Sequence, residues 1–101
     1  MTKADLVEQV AEAIGPGVTK KDCALVVDGF LNAVKQALAE GENIEIRGFG
    51  TFKVRERKPR TARNPRTGDA VHVPARTVPV FKPSKHLREE VEALYPDGVH
   101  V

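Results

Sequence analysis

The chain has 101 residues, of which 41% are hydrophobic and 30% are charged, and its formal net charge is +2. This length predicts one small α+β domain with a modest core, which favours oligomerisation as a further source of stability. No long apolar run and no apolar N-terminal segment is present, so neither a membrane span nor a secretory signal is predicted. The single cysteine excludes an intrachain disulfide. A cytoplasmic or nucleoid location is expected.

Charge is segregated along the chain. Residues 1–46 carry 4 basic and 8 acidic side chains, residues 47–88 carry 12 basic and 2 acidic ones, and residues 89–101 carry 4 acidic and no basic ones. Solvated surfaces usually mix the two signs, so this separation predicts a basic face that binds a polyanion. A sheet face that is merely solvated by its basic side chains is the alternative interpretation.

Two helices are predicted first, separated by Gly15-Pro16-Gly17, where glycine suits a left-handed cap and proline cannot continue a helix. They begin at Thr2 and Thr19, and each threonine has an aspartate three residues on, which is typical of a capping box. The second helix ends at Gly41. Its apolar positions cover a wide arc, so we expect the first helix on one side and a partner chain on another. Residues 1–40 are therefore predicted to form a helix hairpin.

Two strands follow at 43–47 and 51–57, joined by the tight connection Gly48-Phe49-Gly50. These glycines precede a strand rather than a helix, so they do not indicate a nucleotide-binding loop. Phe52 and Val54 alternate with Thr51, Lys53, Arg55 and Arg57, and successive side chains of a strand point to opposite faces. One face of the sheet is therefore predicted to be core and the other to be a basic row.

Residues 57–76 are predicted to form a projecting β-ribbon, the arm. The first half has no acid and almost no large apolar side chain, so it cannot build a core. Asn64-Pro65-Arg66-Thr67-Gly68 is a turn signal. A basic ribbon is suited to a DNA groove, and an exposed proline ring to a base step. An ordinary turn proline is the alternative for Pro65. The basic residues of the arm are Arg57, Lys58, Arg60, Arg63, Arg66 and Arg76.

The chain after the arm is predicted to form a strand at 77–82, where Pro79 favours an edge position or a bulge. A last helix is predicted from Lys85 to Leu94. One domain is expected at 1–95. A C-terminal tail at 96–101 follows, and its last residues are predicted to fray.

The side chains that could act in catalysis or bind a metal do not form a recognisable site motif in the sequence. Cys23 lies on the apolar side of the second helix and is predicted to be a core residue. His72, His86 and His100 have no metal-ligand spacing with one another or with Cys23, and the first two are expected on surface or DNA-facing positions. No nucleophile–base pair is present, so neither an enzyme nor a cofactor is expected. The phenylalanines are expected to form one cluster: Phe30, Phe49, Phe52 and Phe81.

The motif Gly48-Phe49-Gly50-Thr51-Phe52, followed by the segments 60–68 (Arg-Thr-Ala-Arg-Asn-Pro-Arg-Thr-Gly) and 78–82 (Val-Pro-Val-Phe-Lys), resembles the bacterial nucleoid proteins HU and integration host factor. The resemblance covers about residues 1–94. It implies an intertwined dimer with a helical base, a saddle of β-strands and two arms that wrap and bend double-stranded DNA. A homodimer is expected, with a heterodimer as the alternative, and no small-molecule substrate or membrane partner.

The resemblance also implies roles for individual residues. Pro65 is the intercalating wedge. The expected minor-groove contacts of the arm are Arg57, Arg60, Arg63, Asn64 and Arg66. The expected phosphate contacts of the saddle, arm base and last helix are Lys53, Arg55, Arg76, Lys82 and Lys85, with Lys3 at a flank.

The segment Ile44-Glu45-Ile46-Arg47-Gly48 resembles the beta branch of integration host factor, in which the acid and the arginine take part in recognising a preferred sequence. Glu45 and Arg47 are candidates for that role. Ser84 stands where the family usually has glycine, so the phosphate contact at that helix start is not carried over. Two alternatives stay open: a sequence-preferring subunit in recombination, replication or transcription, and a dimer whose basic arms bind RNA or an acidic protein.

Overall fold

The structure is a computed structural model that describes residues 1–97. In that range the chain forms α1 (Lys3–Ile14), α2 (Lys20–Ala39), β1 (Ile44–Ile46), β2 (Gly50–Arg57), β3 (Arg60–Arg63), β4 (Ala70–Val73), β5 (Arg76–Pro83) and α3 (Lys85–Leu94). The α+β class is as predicted. Two compact units are distinguished, residues 1–36 and the chain from Ala37 onward. The fraying predicted for the chain end falls on 98–101, outside the described residues.

The first unit consists of α1 and most of α2, and both helices begin with the predicted caps. The amide of Asp5 donates to Thr2 Oγ1 at 3.4 Å, and the amide of Thr2 donates to Asp5 Oδ2 at 2.7 Å. The amide of Asp22 donates to Thr19 Oγ1 at 3.1 Å. Each bond satisfies a donor that a helix start leaves without an intrahelical partner.

The buried core of the first unit is small. Val7 and Cys23 are 5% and 1% exposed, which confirms the core position predicted for the cysteine. Large apolar side chains remain open to solvent in the isolated chain: Leu6, Ile14, Leu25, Val26, Phe30 and Leu31. Exposed apolar surface on this scale is unfavourable in water and is typical of an interaction face. Within residues 1–97, part of the wide apolar arc of α2 is therefore left uncovered.

The second unit begins at the end of α2, where Gly41 adopts a φ of +79°. The amide of Gly41 donates to the carbonyl of Leu38, and the amide of Glu42 donates to the carbonyl of Ala37 at 2.9 Å. This pair of bonds is a Schellman motif, which satisfies the last carbonyls of the helix. The predicted end of α2 is confirmed.

A three-stranded antiparallel sheet follows, in the order β1-β2-β5. The β1–β2 connection is a tight turn closed by the amide of Phe49 on the carbonyl of Ile46 at 3.0 Å, with Gly48 at φ +80°. Strand β5 lies at the edge, which is the position that Pro79 predicts. A Cβ on Gly50 would lie 2.6 Å from the carbonyl oxygen of Lys82 and from the ring of Phe81, so only glycine fits there without a shift of the neighbouring strand.

One face of this sheet is apolar. Phe52 is the direct cross-strand partner of Phe81, and their ring centroids lie 4.8 Å apart. Phe49 joins them, with centroids 5.2 Å from Phe81 and 6.4 Å from Phe52. Phe30 belongs to the first unit, where it is 52% exposed, so its membership of the predicted cluster stays a prediction.

Strands β3 and β4 form a separate two-stranded ribbon, and α3 closes the described chain. Ser84 caps α3 by accepting from the amide of Leu87 at 3.1 Å, and its own amide donates to the carbonyl of Phe49 at 2.9 Å. The second bond ties the start of α3 to the β1–β2 turn. No helix in residues 1–97 is long and apolar enough to cross a membrane.

Candidate nucleic-acid interface

The face of the sheet opposite the phenylalanines is basic, and β5 completes it. Thr51 pairs with Lys82, Lys53 with Val80, Arg55 with Val78, and Arg57 with Arg76. Direct cross-strand partners point to the same face. The cations of this basic face are therefore Lys53, Arg55, Arg57, Arg76 and Lys82.

Charge on the basic face is almost unopposed. Glu45 pairs with Thr51 and is the acid that β1 adds to this side, whereas Glu56 points to the other side. Arg57 and Arg76 lie directly opposite each other. Like charges in that position destabilise a strand pair, so an anion placed over them would relieve a repulsion already present in the free chain.

The strand ladder is interrupted at the base of the arm. Pairing stops at Arg57–Arg76 and resumes at Arg60–Val73, so two residues intervene on each side and Pro59 lies opposite Pro74. Neither proline has an amide hydrogen to donate across the ribbon. A cavity of about 190 Å³ opens here, lined by Arg57, Lys58, Arg60, Val73, Pro74 and Arg76. Four of its six lining side chains are cationic.

The arm ribbon has two unlike faces. Thr61 pairs with His72 and Arg63 with Ala70, whereas Arg60 pairs with Val73. Arg60 and Arg63 therefore leave the ribbon on opposite faces. The Arg60 face also carries Ala62 and Val71, and Val71 is 45% exposed. Sequence reasoning did not assign a role to this apolar strip, although its alternation along 71–73 was visible.

The tip of the arm, Asn64–Asp69, is a loop held by its own hydrogen bonds, and we call it the tip loop. The amide of Asn64 donates to the carbonyl of Asp69 at 2.9 Å, and the amide of Gly68 donates to the carbonyl of Asn64 at 2.7 Å. Asn64 Oδ1 accepts from the amide of Arg66 at 2.9 Å. Gly68 has a φ of +75°, as the turn chemistry predicts. Pro65 is exposed in this loop.

Two residues predicted as groove contacts have structural roles in the tip loop. The Asn64 side chain accepts a backbone bond within the loop. Arg63 donates from Nη1 to the carbonyl of Gly68 at 2.9 Å. Their contacts with DNA stay predictions, as do those of Arg60 and Arg66.

A second basic group surrounds the start of α3. A cavity of about 320 Å³ is lined there by the cations Arg47, Lys82, Lys85 and Arg88 together with Glu45 and Ser84. Sequence reasoning did not include Arg88 among the site residues. Its spacing of three from Lys85 was a usable signal, because residues three apart on a helix share a face.

Lys3 lies in the first unit and is engaged in an ion pair. Its Nζ is 2.8 Å from Asp28 Oδ1, and the two side chains are 58% and 47% exposed. An exposed pair of this kind contributes roughly 0.2–1 kcal/mol, so exchanging it for a phosphate costs little. The predicted DNA contact of Lys3 stays a prediction.

The cysteine, the histidines and the acids of the described chain provide no metal site. No group of three His, Cys, Asp or Glu side chains in residues 1–97 is placed to hold a metal ion. Cys23 is buried, and His86 Nε2 lies 3.4 Å from Glu90 Oε1 on the exposed side of α3. His72 is exposed on the arm. His100 lies outside the described residues.

Comparison with known proteins agrees with this geometry. A family model described as bacterial DNA-binding protein matches residues 1–92. The integration host factor subunit beta of Hahella chejuensis is 50% identical over 98 residues, which cover 97% of this chain and 99% of that protein. The DNA-binding protein HU of Thermus thermophilus is 48% identical over 92 residues, covering 91% of this chain and 93% of that protein.

The fold is also similar to solved structures of HU. An Anabaena HU–DNA cocrystal structure matches with a TM-score of 0.82 and 41% identity, covering 90% of this chain and 97% of that one. HU from Thermotoga maritima matches with a TM-score of 0.63 and 35% identity, covering 90% of this chain and 98% of that one. The chain therefore belongs to the family of bacterial DNA-binding proteins that includes HU and integration host factor, whose members are architectural proteins rather than enzymes.

Proposed function

We propose that this protein is an architectural DNA-binding protein that wraps, bends and compacts double-stranded DNA as a dimer. The observation that carries the proposal is the register of β2 and β5, which gathers five cations on one sheet face and leads directly into the arm. The phosphate backbone of a duplex is the extended polyanion that fits such a surface. The Anabaena HU–DNA cocrystal structure, as a close structural relative, supports DNA as the ligand.

Affinity comes mainly from the basic face. Each cation that neutralises a phosphate releases condensed counterions, so binding weakens as salt rises. The contacts we assign to this role are Lys53, Arg55, Arg76 and Lys82, with Arg47, Lys85 and Arg88 around the start of α3 and Lys3 at a flank. This part of the interface reads no bases and is expected to accept most sequences.

Bending comes from the arm. We assign Arg57, Lys58, Arg60, Arg63, Asn64 and Arg66 to the minor groove, where a narrow groove attracts arginine. The exposed ring of Pro65 then enters a base step and unstacks it. Unstacking costs a few kcal/mol per step, which the additional contacts to bent DNA offset.

Dimerisation follows from the apolar side chains that the single chain leaves exposed. Phe30, Val26 and Leu25 are between 52% and 69% exposed on α2, and a second copy is the simplest cover. A homodimer is our proposal, and the beta-subunit relatives support a heterodimer as the alternative. We place the whole function in one domain, residues 1–95, with a tail at 96–101. A protein with this function resides in the bacterial nucleoid.

A second candidate function is preference for a particular DNA sequence. The cavity beside α3 brings Glu45 and Arg47 into one lining with Arg88. A carboxylate and an arginine side by side are suited to read base edges. Competition between a defined site and random duplex separates this candidate from general binding, because general binding gives equal competition.

The test of the proposed function is end-to-end energy transfer on a labelled duplex of about 30 base pairs. The wild-type protein at saturation is expected to shorten the distance between the two ends of the duplex, whereas Pro65→Ala binds the duplex without shortening it as much. If the wild-type protein binds DNA without bending it, the protein is a basic dimer that coats DNA and the bending function is wrong. Tighter binding to duplex RNA than to DNA would favour the RNA alternative instead.

A further inference from the structure

Arg63 differs from the other arm cations because its side chain is engaged inside the arm. It is the last residue of β3, and its Nη1 donates to the carbonyl of Gly68, five residues on, at 2.9 Å. The bond therefore joins the residue before the tip loop to a residue near the end of the loop. We propose that Arg63 is a positioning residue that holds the tip loop in the form that presents Pro65. This inference rests on the proposed wedge function of Pro65.

Register explains how the guanidinium reaches the loop. The cross-strand partner of Arg63 is Ala70, and a methyl side chain leaves the space above the last ladder pair open. Gly68 in turn has a φ of +75°, and its amide donates back to the carbonyl of Asn64. Gly68 is therefore bonded on both sides, by its amide to the loop start and by its carbonyl to Arg63.

The other side-chain bonds of the tip loop do not replace this one. The Asn64 side chain accepts from the amide of Arg66, and the Thr67 hydroxyl accepts from the amide of Asp69 at 3.3 Å. Each of those side-chain bonds spans two residues, whereas the Arg63 bond spans five, as does the backbone bond from the Asn64 amide to the Asp69 carbonyl. A charge-assisted bond is also stronger than a neutral one. Ordering the loop before binding lowers the entropy that must be lost when the wedge enters DNA.

Arg60 is the matched control for this role. It lies on the same strand and carries the same charge, but it points to the opposite face and lines the arm-base cavity. If Arg63 acts only as a cation, removing either charge has the same effect on affinity and the same effect on the bend. If Arg63 also positions the loop, its removal reduces the bend more than removal of Arg60 does.

The experiment compares Arg63→Met, Arg63→Lys and Arg60→Met on one labelled duplex at saturating protein. Both methionine variants lose affinity to a similar degree. Arg63→Met gives a clearly longer end-to-end distance than Arg60→Met, and Arg63→Lys restores most of the bend because its ammonium can donate to the Gly68 carbonyl. Equal distances for Arg60→Met and Arg63→Met at saturation would overturn the proposal, as would a lysine variant that bends no better than methionine.

Amide hydrogen exchange of the free protein provides a readout that does not depend on DNA. Loss of the Arg63 bond is expected to speed exchange at the Gly68 amide by about fivefold in Arg63→Met, while Arg60→Met leaves it at the wild-type rate. Unchanged exchange in Arg63→Met contradicts the positioning role even if bending changes. If wild type does not bend DNA, the wedge function fails, and the exchange rates still decide whether Arg63 holds the loop.

Discussion

The basic face and the tip loop both carry cations, but they are held together differently. On the basic face, the ladder between β2 and β5 fixes the backbone, and side chains such as Arg55 are exposed. In the tip loop, side chains help two backbone hydrogen bonds to fix the backbone, since Asn64 and Arg63 both bond to main-chain groups. The basic face therefore supplies positive charge on side chains whose positions are not fixed, whereas the tip loop supplies one defined backbone conformation. Affinity and bending should therefore respond to different substitutions.

The largest effect is expected when the basic face loses two cations. In a dimer, Lys53→Ala/Arg55→Ala removes four phosphate contacts, which should flatten the slope of log affinity against log salt by roughly 3 to 4. The bend at saturation should stay at the wild-type value because the tip loop is intact. Binding isotherms at several salt concentrations measure the slope. A slope equal to wild type would exclude these residues from the interface.

The next largest effect is expected when the proline wedge is removed and every cation is kept. Pro65→Ala should reduce the bend strongly while changing the salt slope by less than about 1, since no cation is lost. Energy transfer and titrations on the same duplex report both quantities. Pro59→Ala is the control, because that proline lies at the arm base, opposite Pro74 in the register, and not in the tip loop. If Pro65→Ala reduces both the salt slope and the bend, the basic face and the tip loop do not act independently.

The features that sequence predicted are those set by residues close together in the chain. The caps at Thr2 and Thr19, the end of α2 at Gly41 and the turn around Pro65 each depend on a few neighbours. Alternation alone also identified the basic row of β2. Interactions between neighbouring residues determine each of these features, and the structure confirms all of these predictions.

Apart from Arg88 and the apolar strip of the arm, the features that sequence did not predict depend on long-range pairing. Without a known relative, nothing local shows that Arg76 lies opposite Arg57 or that Pro74 lies opposite Pro59, because both follow from the β2–β5 and β3–β4 registers. The Arg63 bond to Gly68 needs the loop closed before it is visible. Charge identified the arm residues as a set, but only geometry distinguishes Arg63 within it.

Two glycines allow the regions to be compared by stability. Gly50→Ala places a methyl group 2.6 Å from a backbone oxygen of the neighbouring strand, so we expect a loss of about 1–3 kcal/mol in unfolding free energy. Gly68→Ala has open space but a φ of +75°, which costs about 1–2 kcal/mol locally.

Because the tip loop is bonded mainly to itself, the Gly68→Ala penalty should appear as faster amide exchange at Asn64 and not as a lower melting temperature. Gly50→Ala should lower the melting temperature measured by circular dichroism. A Gly68→Ala variant that melts as early as Gly50→Ala would mean that the tip loop and the sheet unfold as one cooperative unit.

The smallest effect is expected at the α1 cap, where side chains also fix the backbone but no ligand is involved. The backbone and hydroxyl hydrogen bonds from Thr2 hold the pKa of the Asp5 carboxyl below its ordinary value of 3.8. A carboxyl with a lowered pKa stabilises the folded state above its ordinary pKa, and that contribution is lost as pH falls through the lowered value. Thr2→Ala should therefore raise the pKa of Asp5 and lower stability slightly at pH 7, with the difference from wild type shrinking in acid. Carboxyl chemical shifts followed through an acid titration measure the pKa directly. DNA bending should be unchanged in this variant, and an altered bend would show that the cap in α1 is coupled to the arm.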